Sequence, residues 1–263
     1  MALLVAKFLL APLCVVAVSL AGRRWGVAAA GILGGLPVVA GPILLALTLL
    51  HGRSFGADAA ASTLLALAAL TAFVVVYGRV AVRATPVVTV FCGWAAFLIG
   101  VGLLALIDPP PGLSFVLVGA GFALGLRLLP PPREALAPLD EPPWWDLPGR
   151  ALAALTLVVA LTAVSGALGP HLSGLLAPFP IITSVLAVFT HAHGGPMQAR
   201  ILLRNFLVGF YGFAAFCLTL AIGLPSLDTG AAFALALAAA LAISAAAFAV
   251  RQRWAPPASH LPQ

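Results

Sequence analysis

The chain has very little charge for its length. Asp, Glu, Lys and Arg make up 8% of its 263 residues, whereas soluble domains carry about 25%. Hydrophobic residues make up 63%, and the mean hydropathy is +1.16. These values exclude an ordinary soluble domain and predict an all-α polytopic membrane protein that sits in a lipid bilayer.

Acidic residues are especially few. Seven Asp and Glu accompany thirteen Lys and Arg, which gives a formal net charge of +6. A nucleic-acid-binding protein would gather its basic residues on a solvated face, but here they stand at the ends of apolar runs. The positive charge therefore indicates membrane anchoring, and nucleic acid is not an expected partner.

The sequence also lacks the motifs of common enzyme classes. It contains no Walker loop, no GxSxG, no HExxH and no pair of acids inside an apolar run. Its three cysteines show no CxxC spacing. His191 and His193, two residues apart on a helix, point away from each other with no third ligand nearby. We therefore expect no enzyme activity, no cofactor and no metal site. We interpret these histidines as helix-end caps or interfacial residues, with proton sensing as the alternative.

Long apolar runs, in contrast, fill most of the chain. Runs of about 17 to 25 residues are long enough to cross a bilayer, and the sequence has nine of them. The first is interpreted as a retained span rather than a signal peptide, because its arginines follow the apolar stretch. The predicted spans are roughly 3–21, 27–50, 59–80, 86–107, 113–129, 151–169, 172–191, 201–224 and 229–250.

A proline-rich segment divides these spans into two halves. Residues 130–150 contain seven prolines and four of the seven acids, and they predict a hinge. The first half is 1–129 with spans one to five, and the second is 151–263 with spans six to nine. The hinge also carries Trp144 and Trp145, which are typical of interfacial anchors and also compatible with a partner-binding motif.

Basic residues are distributed unevenly between the two sides that nine spans define. Eleven arginines fall on one side, and only Lys7 and Arg53 fall on the other. Basic residues concentrate on the cytoplasmic side of membrane proteins. The pattern therefore predicts an N-terminus outside, with the hinge and the C-terminus in the cytoplasm.

Two stretches of the chain resemble each other. LGGLPVVAGPILLALTLLHG at 33–52 and LAPFPIITSVLAVFTHAHGG at 176–195 share a proline, two β-branched residues, two small residues and a late His-Gly, in the same order and at a nearly constant offset. They lie five spans apart, and five is odd, so the copies cross the membrane in opposite directions. This predicts two inverted-topology repeats, as in many secondary transporters.

Glycine and proline within both copies predict that spans two and seven are interrupted near the bilayer midplane, close to Pro37 and Pro180. Interrupted helices form the substrate sites of carriers built from inverted repeats. The alternative is that the glycines form a helix-packing face. The candidate substrate-binding residues are Gly34, Gly35, Pro37, Gly41, Pro42, Pro178, Pro180, Thr183, Ser184 and Thr190.

Polar residues near the membrane edges have two interpretations each. Arg200 and Arg204 lie one turn apart beside Asn205, and they are either an anion-attracting vestibule at the cytoplasmic mouth or anchors to anionic lipid head groups. Asp58, at the outer end of span three, is interpreted as a helix N-terminal residue, with proton carriage as the alternative.

The stretch SGLLAPFPIITSVLAVFTHAHGG at 173–195, and more loosely AGILGGLPVVAGPILLALTLLHG at 30–52, resembles the signature span of the GlpM-like group of small bacterial inner-membrane proteins. The resemblance implies a fused pair of such units in a bacterial inner membrane, and it brings no substrate with it. The first copy departs from the pattern, with Leu36 where the second has Phe179.

Together these features predict a secondary transporter, an exporter, that moves a small anionic or neutral organic solute by alternating access. The lack of a central Asp or Glu disfavours a cation as cargo, whereas the N-termini of interrupted helices suit an anion. The alternative is a non-transporting membrane component that assembles with partners or handles lipid, as a scramblase does. The sequence leaves the solute, the coupling ion and a homodimer open.

Overall fold

The computed structural model describes residues 2–129, 142–176 and 179–254. Within these ranges all regular structure is helical, which confirms the predicted all-α class. The helices are α1 (Ala2–Trp25), α2 (Val27–Gly34), α3 (Ala40–His51), α4 (Arg53–Val80), α5 (Pro86–Leu104), α6 (Pro111–Leu128), α7 (Asp146–Leu176), α8 (Ile181–Gly223) and α9 (Thr229–Trp254). The hinge residues 130–141, and Pro178 among the candidate site residues, lie outside the described ranges.

Five segments in the described part of the chain are long and apolar enough to cross a membrane, as expected for a membrane protein. A helix rises about 1.5 Å per residue, so about 20 residues span the hydrocarbon core. The five segments are Arg53–Val80, Pro86–Leu104, Pro111–Leu128, Ile181–Gly223 and Thr229–Ala246.

Helix α8 contains a sharp bend. Gly195 has φ 77° and ψ 177°, a left-handed backbone conformation that glycine adopts without the steric cost of a Cβ atom. Pro196 follows, and it cannot continue the hydrogen-bonding pattern of the preceding helix. The bend divides α8 into two straight parts, α8a (181–194) and α8b (196–223).

The helix boundaries differ from the predicted spans in several places, most clearly between spans six and seven. The sequence predicts that span six ends at 169 and span seven begins at 172, but α7 continues to Leu176 and α8 begins at Ile181. The boundary lies at Pro180 because proline disfavours helical geometry in the residue before it, here Phe179. The predicted gap at 170–171 is therefore wrong.

Helices α4 and α8 form the centre of the bundle. They pack against each other, α5 and α6 pack on α4, and α2 and α9 pack on α8. Their apolar windows are 44% and 67% buried, compared with 22% to 28% for α5, α6 and α9. Their largest side chains, among them Phe73, Tyr77, Phe206 and Phe210, are fully buried. The flanking helices therefore present most of their surface outward, as lipid-facing helices do.

One end of the bundle is rich in arginine. The C-terminal ends of α1, α4 and α6 meet the start of α7 and the bend in α8 there. Arg23, Arg79, Arg150 and Arg204 all make hydrogen bonds at this end, and we refer to it as the arginine end. At the opposite end, Arg53 donates a hydrogen bond to the carbonyl of Leu227.

Candidate functional site: two interrupted spans

The second predicted span is interrupted. Helix α2 ends at Gly34, residues 35–39 are non-helical, and α3 begins at Ala40. Pro37 lies buried in the middle of the interruption. It has no backbone N–H to donate and restricts Leu36 before it, which explains why the helix stops here although the flanking residues are apolar.

The glycines of this interruption contact α8b closely. A Cβ atom at Gly35 would lie 2.8 Å from the Cα of Gly209, and one at Gly34 would lie 2.6 Å from the ring of Phe206. A Cβ atom at Gly31 would overlap the backbone of Leu202. Only glycine permits so close an approach of two helices. These three glycines therefore have the helix-packing role that the sequence left as the alternative.

Two other candidates of the first interruption are less tightly packed. Gly41 is buried, and a Cβ atom there would lie at an ordinary 3.5 Å from the ring of Phe216. Pro42 is exposed on the surface of the bundle. The space around α3 is thus less restrictive than the space around α2.

The second interruption precedes α8a. Phe179 and Pro180 are non-helical, and the first turn of α8a carries Thr183 and Ser184, both buried. The Ser184 hydroxyl accepts a hydrogen bond of 2.8 Å from Nε1 of Trp94 on α5. The Phe179 ring lies 5.4 Å from the Trp94 ring between centroids. Side-chain hydrogen bonding and aromatic packing hold this interruption, whereas glycine contacts hold the first.

The structure brings the two interruptions together. Leu186, in the second turn of α8a, lies 3.5 Å from where a Cβ atom of Gly34 would be. Neither helix that starts at an interruption has a side-chain cap: the N-cap residues are Val39 for α3 and Pro180 for α8a. The backbone N–H groups of Gly41, Ile43 and Ile181 donate to nearby carbonyls, and Pro42 has none. What the two starts offer is therefore the partial positive charge of a helix N-terminus. Both interruptions suit an anionic or polar group.

Helix α8a has two histidines at the arginine end, and each of them contacts a different residue. The Nδ1 atom of His191 lies 3.4 Å from the Tyr77 hydroxyl. His193 contacts Asp146 at 3.5 Å and the carbonyl of Phe189 at 2.9 Å. Thr190, another candidate, is buried beside them. In the described ranges, no group of three or more His, Cys, Asp or Glu is placed to hold a metal ion.

Asp146 is the centre of an ion-pair network. Its side chain is 1% exposed and accepts hydrogen bonds of about 3.0 Å from Arg23 of α1 and Arg150 of α7. The Arg150 guanidinium also lies 5.2 Å from the centre of the Phe189 ring, in a cation–π arrangement. The network ties the end of α8a to α1 and α7.

The candidate vestibule residues have different environments. Arg204 donates to the carbonyls of Leu126 and Leu129 at the C-terminus of α6, and Asn205 donates to the carbonyl of Ile201. Arg200 lines a cleft at the arginine end. Arg204 is thus engaged as a C-terminal cap, and of the three residues only Arg200 lines this cleft. Asp58 is exposed in the second turn of α4 and lines a cleft of about 520 Å³ at the opposite end.

Sequence reasoning missed Trp94, Tyr77 and Asp146. A signal existed for Trp94, because the other tryptophans stand near span ends while Trp94 lies in the middle of a span, where its N–H needs a partner. For Asp146, the signal is Arg150 four residues later, on the same helical face. Tyr77 gave none, since its partner lies in the other half of the chain.

Comparisons with protein families, with curated proteins and with solved structures find no match to this chain. The GlpM-like resemblance accordingly rests on residues 30–52 and 173–195 alone.

Proposed function

We propose that this chain is a secondary transporter of a bacterial inner membrane, built from two inverted repeats that face each other across α4 and α8b. It moves a small anionic or neutral organic solute, outward, by alternating access to a site between the two interruptions. The observation that carries the proposal is the closeness of the two interruptions, where Gly34 at the first lies against Leu186 of α8a, inside a bundle of apolar helices.

The spacing of the helix starts along the chain supports the repeat. Gly52 and Gly195, both with positive φ, stand at the ends of the two stretches that resemble each other. The helix after each is 28 residues long, Arg53–Val80 in α4 and 196–223 in α8b. Helices α5 and α9 begin at Pro86 and Thr229, and these two starts have the same separation along the chain as the two glycines. This constant offset extends well beyond the stretches themselves.

Two clefts at opposite ends of the α4–α8b pair support alternating access. The cleft of about 520 Å³ includes Ala57 and Ala221, and the cleft of about 610 Å³ at the arginine end includes Gly78 and Arg200. Ala57 and Arg200 are separated by the same offset as the two positive-φ glycines, and so are Gly78 and Ala221. The clefts occupy equivalent positions in the two repeats, as the two entrances of an inverted-repeat carrier do.

The chemistry at the interruptions supports the class of solute. The partial positive charge of α3 and α8a favours an anionic or polar group, and the hydroxyls of Thr183 and Ser184 add directed hydrogen bonds. Trp94 and Phe179 offer an apolar wall. A cation would find no carboxylate among these residues.

Flux into proteoliposomes that contain only this protein tests the proposal. The probes are radiolabelled succinate, a phosphate monoester and a neutral polyol, each tested with internal counter-substrate. We expect saturable counterflow of at least one probe, reduced in Ser184→Ala and unchanged in Thr219→Ala. Thr219 is the matched control because its hydroxyl donates to the Ala215 carbonyl of its own helix.

The excess of arginine at one end supports an orientation with the arginine end in the cytoplasm. Reporter fusions after Gln263 should therefore be active only as cytoplasmic reporters. A periplasmic C-terminus would contradict the inverted repeat. Transbilayer movement of fluorescent phospholipid without flux of any solute would instead favour the lipid-handling alternative, and neither activity would favour a component that assembles with partners.

A further inference from the structure

The cleft at the arginine end has a distinctive lining. It occupies about 610 Å³ between the last turns of α4, the C-terminus of α6 and the first turns of α8b. Three arginines line it, Arg79, Arg83 and Arg200, and no acidic residue of the described ranges does. The remaining wall consists of Gly78, four valines and Leu128. The cleft is thus cationic on one part of its surface and apolar on another.

Arg200 has an unmet hydrogen-bonding requirement. Its Nε atom is buried and has no hydrogen-bond partner in the described part of the chain, and its guanidinium otherwise contacts the Met197 sulfur at 3.8 Å. A buried donor without a partner is unfavourable, because it has lost its hydrogen bond to water and gained none in the protein. In contrast, Nε of Arg79 donates to the carbonyl of Leu128 at 3.0 Å. The Arg200 guanidinium therefore has no oxygen acceptor in the described part of the chain, and its Nη atoms are the groups that an acceptor in the cleft would meet.

We propose that this cleft binds the phosphate-bearing headgroup of an acidic phospholipid. The Arg200 guanidinium holds a phosphate oxygen, because guanidinium and phosphate form short, charge-assisted hydrogen bonds in a matching planar geometry. Arg79 and Arg83, both exposed at the rim, add positive charge around the same group.

The valines explain why the occupant is a lipid rather than free phosphate. Val82 is 44% exposed at the edge of the cleft, and an exposed valine offers nothing to a fully hydrated ion. A phospholipid carries an anionic headgroup next to apolar chains. The arginines of the cleft match the first and its valines match the second. The cleft also adjoins the ends of α4 and α6, two helices long and apolar enough to span the bilayer, where lipid headgroups lie. The cleft is also the arginine-end entrance of the proposed carrier, so lipid binding is measured without any transport readout.

Titration of the delipidated protein in neutral detergent tests the proposal. The probes are phosphatidylglycerol, phosphatidylcholine and inorganic phosphate, with native mass spectrometry to count bound lipid and the apparent Tm to report stabilisation. We expect phosphatidylglycerol to bind and to raise the Tm, while phosphatidylcholine and phosphate do neither. Arg200→Gln should weaken phosphatidylglycerol binding at least about tenfold, as expected for the loss of a charged hydrogen bond.

Two variants keep the result interpretable. Arg24→Gln removes the same charge from an exposed position of α1 that is not part of the cleft, and it should bind phosphatidylglycerol as the parent does. Arg83→Gln lies at the exposed rim and should weaken binding even if Arg200→Gln does not fold. Equal losses in Arg24→Gln and Arg83→Gln would overturn the proposal, because binding would then follow net charge alone.

Two further outcomes would also overturn it. Stabilisation by inorganic phosphate equal to that by phosphatidylglycerol would make the site an anion site for soluble phosphate. Lipid binding that appears only after Glu134, Asp140 and Glu141 are changed to amides would show that the acids of the hinge occupy the cleft.

Discussion

The two interrupted spans are held in place by different chemistry. At the first, Gly31, Gly34 and Gly35 bring α2 against the backbone of α8b with no room for a side chain. At the second, the contacts are a hydrogen bond from Trp94 to Ser184 and ring packing around Phe179. Steric contacts of the first kind are lost only if the helices separate, whereas contacts of the second kind are made by side chains that can rotate. We therefore expect α8a to be displaced more readily than α2.

The largest expected effect is at the first interruption. Gly35→Leu places a side chain against backbone atoms of Phe206 and Gly209 that cannot rotate away. We expect the free energy of unfolding to fall by about 4 kcal/mol. This is above the usual cost of overpacking because the obstructing atoms belong to the main chain. Thermal unfolding in detergent measures it. Gly102→Ala is the control, since a Cβ atom there meets nothing within 4 Å and alanine favours a helix. A Gly35→Leu protein as stable as the parent would show that α2 does not pack on α8b.

The network at the far end of α8a should have the next largest effect. Asp146→Asn removes the carboxylate that Arg23, Arg150 and His193 share. Removal of one member of a buried ion pair costs about 3–5 kcal/mol, and we expect the lower end because Arg23 is partly exposed. The apparent Tm reports the loss, with Asp108→Asn, an exposed acid, as the control. If both variants shift the Tm equally, Asp146 does not secure α8a.

Ser184→Ala should have an intermediate effect at the second interruption. It leaves the buried Nε1–H of Trp94 without its acceptor, at a cost of about 1–2 kcal/mol. A double-mutant cycle with Trp94→Phe isolates the pair, since the second change should cost less once the first is made. Strictly additive effects would mean that the hydrogen bond contributes nothing to stability.

Tyr77→Phe should have the smallest effect. The Tyr77 hydroxyl lies 3.4 Å from His191, which is long for a hydrogen bond, and both side chains remain packed without it. We expect a loss below about 1 kcal/mol. Tyr211→Phe provides the comparison, because its hydroxyl donates to the Gly119 carbonyl at 3.1 Å and should cost more. The reverse order would make His191 a stronger anchor of α8a than its geometry indicates.

Features that depend on local chemistry were predictable from the sequence. The apolar runs indicated helices that cross a membrane, and Pro37 and Pro180 predicted where two of them stop, because a missing N–H acts on the same turn of the chain. The end of the sixth predicted span was wrong, since α7 continues to Leu176 and composition alone does not mark where an apolar helix stops.

Features that depend on distant partners were not predictable. Gly34 and Gly35 were candidates for a site, yet their roles are set by Phe206 and Gly209, far along the chain. Arg204 was a candidate for a vestibule, but the carbonyls it caps belong to α6, in the first half of the chain. Spacing along a single sequence does not report such pairings.

The bend at Gly195 is a single point about which α8a can rotate as a rigid segment. The segment 181–194 extends about 21 Å at about 1.5 Å per residue, and Ser184 lies about 16 Å from Gly195. A rotation of about 10° at Gly195 therefore displaces Ser184 by about 3 Å, enough to break its hydrogen bond with Trp94. His193, which contacts Asp146, lies only two residues from Gly195. The same rotation therefore moves that contact by only about 0.5 Å. A rotation at Gly195 would thus move the interruption and leave the arginine end in place.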